Sequence, residues 1–217
     1  MPPYVDYTLV KPDATFSDYE RHCREALESP DDVRAVCVLP DPEVLHMCRR
    51  TLEQKMSICA VNDFPDGRGG WRGKLADAEI ALECGIREID TVINTSYVKE
   101  GNYGAAKAEF AGIISMFQGA VKVIVETGYP WYTEYKIKKV TELVAEIGAF
   151  CIKSSTGVIA KIPVEQKIQH IAWMHQVAPH LTIKIAGDVV SMEQVNAARS
   201  VVPAGKLIVG ASRPFWK

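Results

Sequence analysis

No stretch of this 217-residue chain reads as a linker, a low-complexity tract or a block of like charge, so one domain over residues 1–217, with a single large core, is expected. Charge of neither sign is in excess: 25 basic and 27 acidic residues give a formal net charge of −2, and without a basic stripe nucleic acid is not an expected partner. No apolar run approaches the roughly 18 residues of a spanning helix. The N-terminal MPPYVDYTL also lacks a basic region followed by a long apolar stretch, so no membrane association is expected and a cytoplasmic location is. Among the six cysteines (Cys23, Cys37, Cys48, Cys59, Cys84 and Cys151) there is no C-x-x-C pair, which removes the usual framework for zinc or dithiol chemistry and favours free thiols. His170, His175 and His180 are five apart, a spacing that does not align them on one helical face. Neither a metal nor a cofactor is expected.

What the chain does contain is alternation. Eight short apolar or β-branched runs occur at 4–8, 34–39, 57–62, 87–93, 121–126, 149–154, 181–187 and 206–211, and segments of helical character lie between them at 17–29, 41–55, 74–85, 103–117, 133–148, 163–177 and 192–200. Several boundaries have a mechanism: Asp41 before Pro42 and Thr133 before an acid are N-caps, while Gly85 and Gly148 follow their helices. Strand and helix in turn make an α/β chain with a parallel sheet. Eight units suit a closed (β/α)₈ TIM barrel; an open doubly wound sheet is the alternative, disfavoured because no G-x-G-x-x-G follows the first run. Little sequence follows the eighth run, so a vestigial or absent last outer helix is expected.

Two of these runs carry a lysine, Lys153 in AFCIKSSTG and Lys184 in LTIKIAG. A lysine inside a buried strand costs several kcal/mol unless it is paired, neutral or at the open end. On neighbouring strands, about 5 Å apart, each cation disfavours the charge of the other, and a desolvated amine beside a second cation is a nucleophile able to form a Schiff base. Asp90 on the fourth run and Asp6 on the first add two carboxylates at the same mouth, Asp90 for proton transfer and Asp6 to hold the second amine. The competing interpretation is ordinary: strand lysines reaching solvent with acids as their partners. Cys37 is divided between lining the pocket and core packing. The four tryptophans, Trp71, Trp131, Trp173 and Trp216, fit either core use, which is favoured, or an exposed surface through which the chain forms a homo-oligomer.

The runs and their flanks are similar to one family along nearly the whole chain: YTLVKPDAT, AVCVLP, CAVNDFPDG with Lys74, GIREIDTVINTSYVKEGNY, VKVIVETG, GAFCIKSSTG and IKIAG. Together they resemble deoxyribose-phosphate aldolase, a class I aldolase family, and IKSSTG after a strand is the strongest of these signals. The resemblance implies a metal-free (β/α)₈ barrel that cleaves 2-deoxyribose 5-phosphate reversibly to glyceraldehyde 3-phosphate and acetaldehyde. It implies that Lys153 forms the Schiff base, that Lys184 keeps this amine reactive, and that Asp90 serves the proton relay. Thr156, Gly157, Gly187, Ser212 and Arg213 are the expected substrate contacts, with Cys37 lining the pocket.

The chain departs from the family pattern after the seventh strand, where a Gly-Gly pair is Gly187-Asp188, and after the eighth, where Gly-x-Ser-Ser is Gly210-Ala211-Ser212-Arg213. Asp188 brings a negative charge to the phosphate end, repulsive unless it turns away or meets a cation such as Arg213. The substrate is therefore either the sugar phosphate bound in a modified way or a different, unphosphorylated aldehyde or ketone. A sugar-phosphate binder without activity is the alternative outside the enzyme class. The loop 63–73, rich in glycine and arginine, is expected to be a solvated surface loop, with a lid over the mouth as the second interpretation.

Overall fold

The structure is a computed structural model and describes residues 4–215; Trp216 and Lys217 lie outside the described residues. The strands β1 (Val5–Leu9), β2 (Val33–Val38), β3 (Ser57–Asn62), β4 (Glu88–Val92), β5 (Val121–Ile124), β6 (Cys151–Lys153), β7 (Thr182–Ala186) and β8 (Leu207–Ala211) close into one barrel in chain order. Every strand pairs in parallel with its neighbours, and β8 returns to β1. This is the (β/α)₈ barrel rather than the open sheet.

The helices are α1 (Phe16–Leu27), α2 (Pro42–Leu52), α3 (Gly70–Glu83), α4 (Thr95–Glu100), α5 (Tyr103–Ala108), α6 (Ala111–Met116), α7 (Glu134–Glu146), α8 (Val164–Val177) and α9 (Met192–Arg199). Their starts follow local chemistry. The Asp41 side chain accepts from Val44 N at 3.0 Å with Pro42 in the first turn, and Thr133 Oγ1 accepts from Lys136 N at 3.3 Å. Gly85 and Gly148 follow α3 and α7 at φ of 76° and 80°, the left-handed turn that a glycine makes without steric cost. After β8 the described residues Ser212–Phe215 form no helix.

Alternation along the strands separates two environments. Val5, Tyr7, Val36, Ile89, Val123, Ile152, Ile183 and Val209 point outward and join helix residues such as Leu45, Ile137 and Ile171 in one large apolar core. Each such side chain, fully buried, contributes about 1.5–3 kcal/mol. The inward positions form only a small apolar cluster, Cys37, Cys59, Val61, Val92 and Ile124; buried charged residues occupy much of the rest of the interior.

Two expectations need correction. The helix expected over 103–117 is broken between α5 and α6, because Glu109 turns inward toward the Lys74 ammonium at 3.9 Å and accepts from Asn94 N at 3.4 Å. The loop expected over 63–73 is shorter and tied down: α3 begins at Gly70, Gly69 N donates to Asp63 Oδ1 at 2.8 Å, and buried Lys74 donates to Asp63 and to Gly67 O. Pro65, Asp66, Arg68, Gly69, Trp71 and Arg72 are exposed, so the segment lies at the surface as expected but is anchored through Asp63, Gly67 and Lys74.

Candidate active site

Asp6 on β1, Glu88 and Asp90 on β4, Lys122 on β5, Lys153 on β6 and Lys184 on β7 project into the barrel, and Arg34 on β2 joins them. Lys153 Nζ donates to Asp90 Oδ2 at 2.9 Å, and Lys184 Nζ donates to the same oxygen at 2.8 Å. The two amines therefore meet across a single carboxylate oxygen. Lys184 also donates to Asp6 Oδ2 at 2.6 Å. Lys122 has three acids around it: Asp90 Oδ1 at 2.5 Å, Glu88 Oε1 at 2.6 Å and Asp6 Oδ2 at 3.6 Å. Arg34 forks onto both oxygens of Glu88 and reaches Asp6 Oδ1 at 2.6 Å.

Burial sets the electrostatics of this network. Burial alone would raise the pKa of Asp90, but Lys122, Lys153 and Lys184 outweigh it and hold the carboxyl well below the usual range. Asp6, under the same opposed influences, is lowered to about 2, chiefly by Lys184 and Lys122. Burial works against the charge of Lys184, yet Asp6 and Asp90 prevail and its pKa is raised. The expectation that the two cations would simply disfavour each other is thus corrected for Lys184: the carboxylates between and below keep it an ammonium.

The mouth of the barrel is a cavity of about 510 Å³, and Lys153 is the one lysine of the network that lines it. Thr156, Gly157, Gly187, Asp188, Ser212 and Arg213 line it too, so the expected substrate contacts come together around that amine. Thr156 is committed elsewhere, since its N–H donates to buried Glu126 at 2.9 Å and its hydroxyl donates to the same oxygen. The glycines are required by close approach. A Cβ on Gly187 would lie 2.9 Å from Gly157 Cα and 2.7 Å from Lys167 Nζ, so the loops after β6 and β7 touch only because neither residue has a side chain. Asp188 adopts φ of 62°, the left-handed region that aspartate tolerates better than most residues. Its partner is Lys167 on α8, at 3.8 Å, rather than Arg213.

Cys37 belongs beneath the pocket. It is fully buried, absent from the cavity wall, and places its Sγ 3.7 Å from Lys184 Nζ. With Cys59 and Asp90 it forms the one group of metal-ligand type among the described residues, their ligand atoms within 4.8 Å of one another. Lys122 Nζ stands 3.0 Å from Cys59 Sγ and touches Asp90, so a metal ion there would meet an ammonium at both. The donor set does not suit a cation.

Curated relatives of this chain are named deoxyribose-phosphate aldolase. The chain is 33% identical over 194 residues to the deoxyribose-phosphate aldolase of Clostridium botulinum (strain Alaska E43 / Type E3), covering 89% of this chain and 84% of that one. It is 32% identical over 212 residues to the deoxyribose-phosphate aldolase of Finegoldia magna, covering 96% and 94%. The chain belongs to the deoxyribose-phosphate aldolase family. No family model matches it. The structure entitled "Unique tetrameric structure of deoxyribose phosphate aldolase from Aeropyrum pernix" superposes with a TM-score of 0.81 at 26% identity, over 96% of this chain and 85% of that one. A second solved structure, "QR15, an Aldolase", gives 0.83 at 27% over 96% and 90%. Within this aldolase-family barrel, Lys122, Glu88 and Arg34 are the members of the charged network that sequence reasoning missed, and Lys167 is the missed cation at the mouth.

Proposed function

We propose that this chain is a class I, Schiff-base-forming aldolase that reversibly cleaves 2-deoxyribose 5-phosphate to glyceraldehyde 3-phosphate and acetaldehyde, with Lys153 as its nucleophile. The observation that carries this reading is that Lys153 alone among the network lysines opens to the cavity while resting on a carboxylate oxygen shared with a second ammonium.

The chemistry follows from those contacts. Uncharged Lys153 Nζ attacks the C1 aldehyde carbon of the open-chain sugar, and the carbinolamine loses water to give an iminium. Lys184 is the ammonium that supplies the proton for this loss, and Asp90, which touches both nitrogens, passes it. Asp90 rests as a carboxylate, held there by the three lysines, so it takes up a proton only to hand it on. The C3 hydroxyl then loses its proton through Asp90 to Lys184, which is neutral after the dehydration and later returns that proton to C2. As it does so, the C2–C3 electron pair flows into the iminium and glyceraldehyde 3-phosphate leaves. The enamine is protonated at C2, and water hydrolyses the resulting iminium to acetaldehyde and free amine. Asp6 anchors Lys184 from below.

A phosphorylated substrate is favoured because Lys167 offsets Asp188 while Arg213, Lys11 and Arg21 also border the cavity. Borohydride reduction in the presence of acetaldehyde should leave a reduced two-carbon adduct on Lys153, and Lys153→Ala should remove both the adduct and the retro-aldol activity. A wild-type protein that gains no adduct at position 153 rejects the reading in favour of a sugar-phosphate binder. Matched assays of 2-deoxyribose 5-phosphate and 2-deoxyribose separate the two substrate classes.

A further inference from the structure

The strand pairing of β1 with β2 slips by one residue: Val5 is opposite Val33, but Asp6 is opposite Ala35. Arg34 is the extra residue of this bulge. Ala35 and Cys37 lie inside the barrel, so regular alternation would turn Arg34 outward with Val36; the bulge instead re-aims it onto the carboxylates of Asp6 and Glu88. The guanidinium cannot shed its proton at any working pH, so it is a permanent charge built into the barrel base.

We propose that Arg34 sets the proton count of the active site, by making the cations of the closed network exceed its carboxylates by one, so that Lys153 is the amine that goes without a proton. The inference rests on the reading of Lys153 as the nucleophile. The groups facing one another are Asp6 from β1, Arg34 and Cys37 from β2, Cys59 from β3, Glu88 and Asp90 from β4, Lys122 from β5, Cys151 and Lys153 from β6, and Lys184 from β7; no residue of β8 is ionisable. Three acids thus face four basic groups, Arg34, Lys122, Lys153 and Lys184. Above them Glu126, just beyond β5, lies in the fields of Lys153 and Lys167, and Lys167 of α8 in those of Asp188 and Glu126; burial pushes the carboxyl of Glu126 up and the ammonium of Lys167 down. Of the thiols, Cys59 and Cys151 are pushed up by burial and stay neutral. Cys37, its burial outweighed by the hydrogen bond it shares with Cys59, is drawn down from the ordinary thiol value of about 8.5, and the excess of one cation is that of the network with Cys37 as a thiol.

Carboxylate contacts decide which amine yields. Lys122 has three, Lys184 has two and Lys153 has one. If Arg34 were uncharged, three carboxylates would face three lysines and every amine would keep its proton. Arg34 never meets the substrate; it acts through Asp6 and Glu88.

The test is the pH profile of kcat/KM for retro-aldol cleavage. Arg34→Gln should move the acid limb to higher pH by a unit or more, about a tenfold loss at neutral pH for each unit, with activity recovered at alkaline pH. Glu88→Gln added to Arg34→Gln removes one carboxylate and should return the limb toward its original position, and Arg34→Lys, which keeps the charge but not the fork, should leave it in place. A loss equal at all pH values in Arg34→Gln, a limb that does not move, or an Arg34→Lys limb displaced like that of Arg34→Gln overturns the proposal. Borohydride trapping on the wild type distinguishes the failures: with an adduct on Lys153 only the role of Arg34 falls, and without one both readings fall together.

Discussion

The same eight strands have two unlike faces. Outside, Val5, Ile89, Ile152 and Ile183 pack on helices in a large apolar core; inside, Asp6, Asp90, Lys122 and Lys184 are fully buried, with Lys153 nearly so. The outer face supplies the driving force for folding, since its burial is favourable residue by residue. The inner face does not, because withdrawing charges from water costs about as much as their pairing returns. Its hazard is asymmetric: a complete network is tolerated, but a broken one leaves a bare charge in the interior. The outer face therefore specifies the barrel, and the inner face is the part whose composition only the chemistry explains.

Breaking the inner face should give the largest stability effect. Lys122→Met leaves Asp90 and Glu88 without their common ammonium, and a loss of about 3–5 kcal/mol is expected from denaturant unfolding. Equal stability of this variant and the wild type would show that the interior is not the closed ion network drawn above. Acid is a gentler way to break it. The pKa of Asp6 is about 2 in the folded chain against about 3.9 in an unfolded one. The folded value is depressed, so the stabilisation is fully present above about pH 4 and is lost as pH falls through 2, on the order of 2 kcal/mol from this group. Asp6→Asn should flatten the unfolding midpoint against pH over that window; an unchanged slope counts against Asp6 as a paired carboxylate. On the outer face, Ile183→Val should cost only about 0.5–1.5 kcal/mol and leave the pH profile of activity where it was.

The two faces were also unequally legible. Apolar runs located all eight strands to within a residue or two because the outer face needs β-branched residues at alternate positions, and Asp41, Thr133, Gly85 and Gly148 marked helix ends for reasons local to them. Lys153, Lys184, Asp90 and Asp6 stood out as charges in the middle of such runs. Lys122 and Glu88 did not, because each lies at or near the start of its strand, where a charged residue is ordinarily solvated. Alternation held the missing signal: Glu88 is two residues before Asp90, and Lys122 two before inward-facing Ile124. Arg34 was beyond even that rule, since a bulge reverses the direction of its side chain. Glu109 is a similar case, its inward turn toward Lys74 depending on a contact between α3 and the end of α5 that no local pattern records.

The smallest effect expected is at the rim, where the two environments meet solvent. Asp188 has a side chain 53% exposed and lies 3.8 Å from Lys167, so its repulsion of a bound phosphate is screened by water, salt and that partner. Asn keeps the left-handed backbone at this position, which makes Asp188→Asn a change of charge with little change of shape. At low ionic strength the variant should lower KM for 2-deoxyribose 5-phosphate by up to about fivefold, the upper end for one exposed charge pair, without altering kcat. KM for unphosphorylated 2-deoxyribose should not move, and the gain for the phosphate should shrink as salt is added. Parallel shifts for both sugars would place the role of Asp188 in the shape of the loop after β7, and the phosphate would then have to be held on the Ser212–Arg213 side of the cavity.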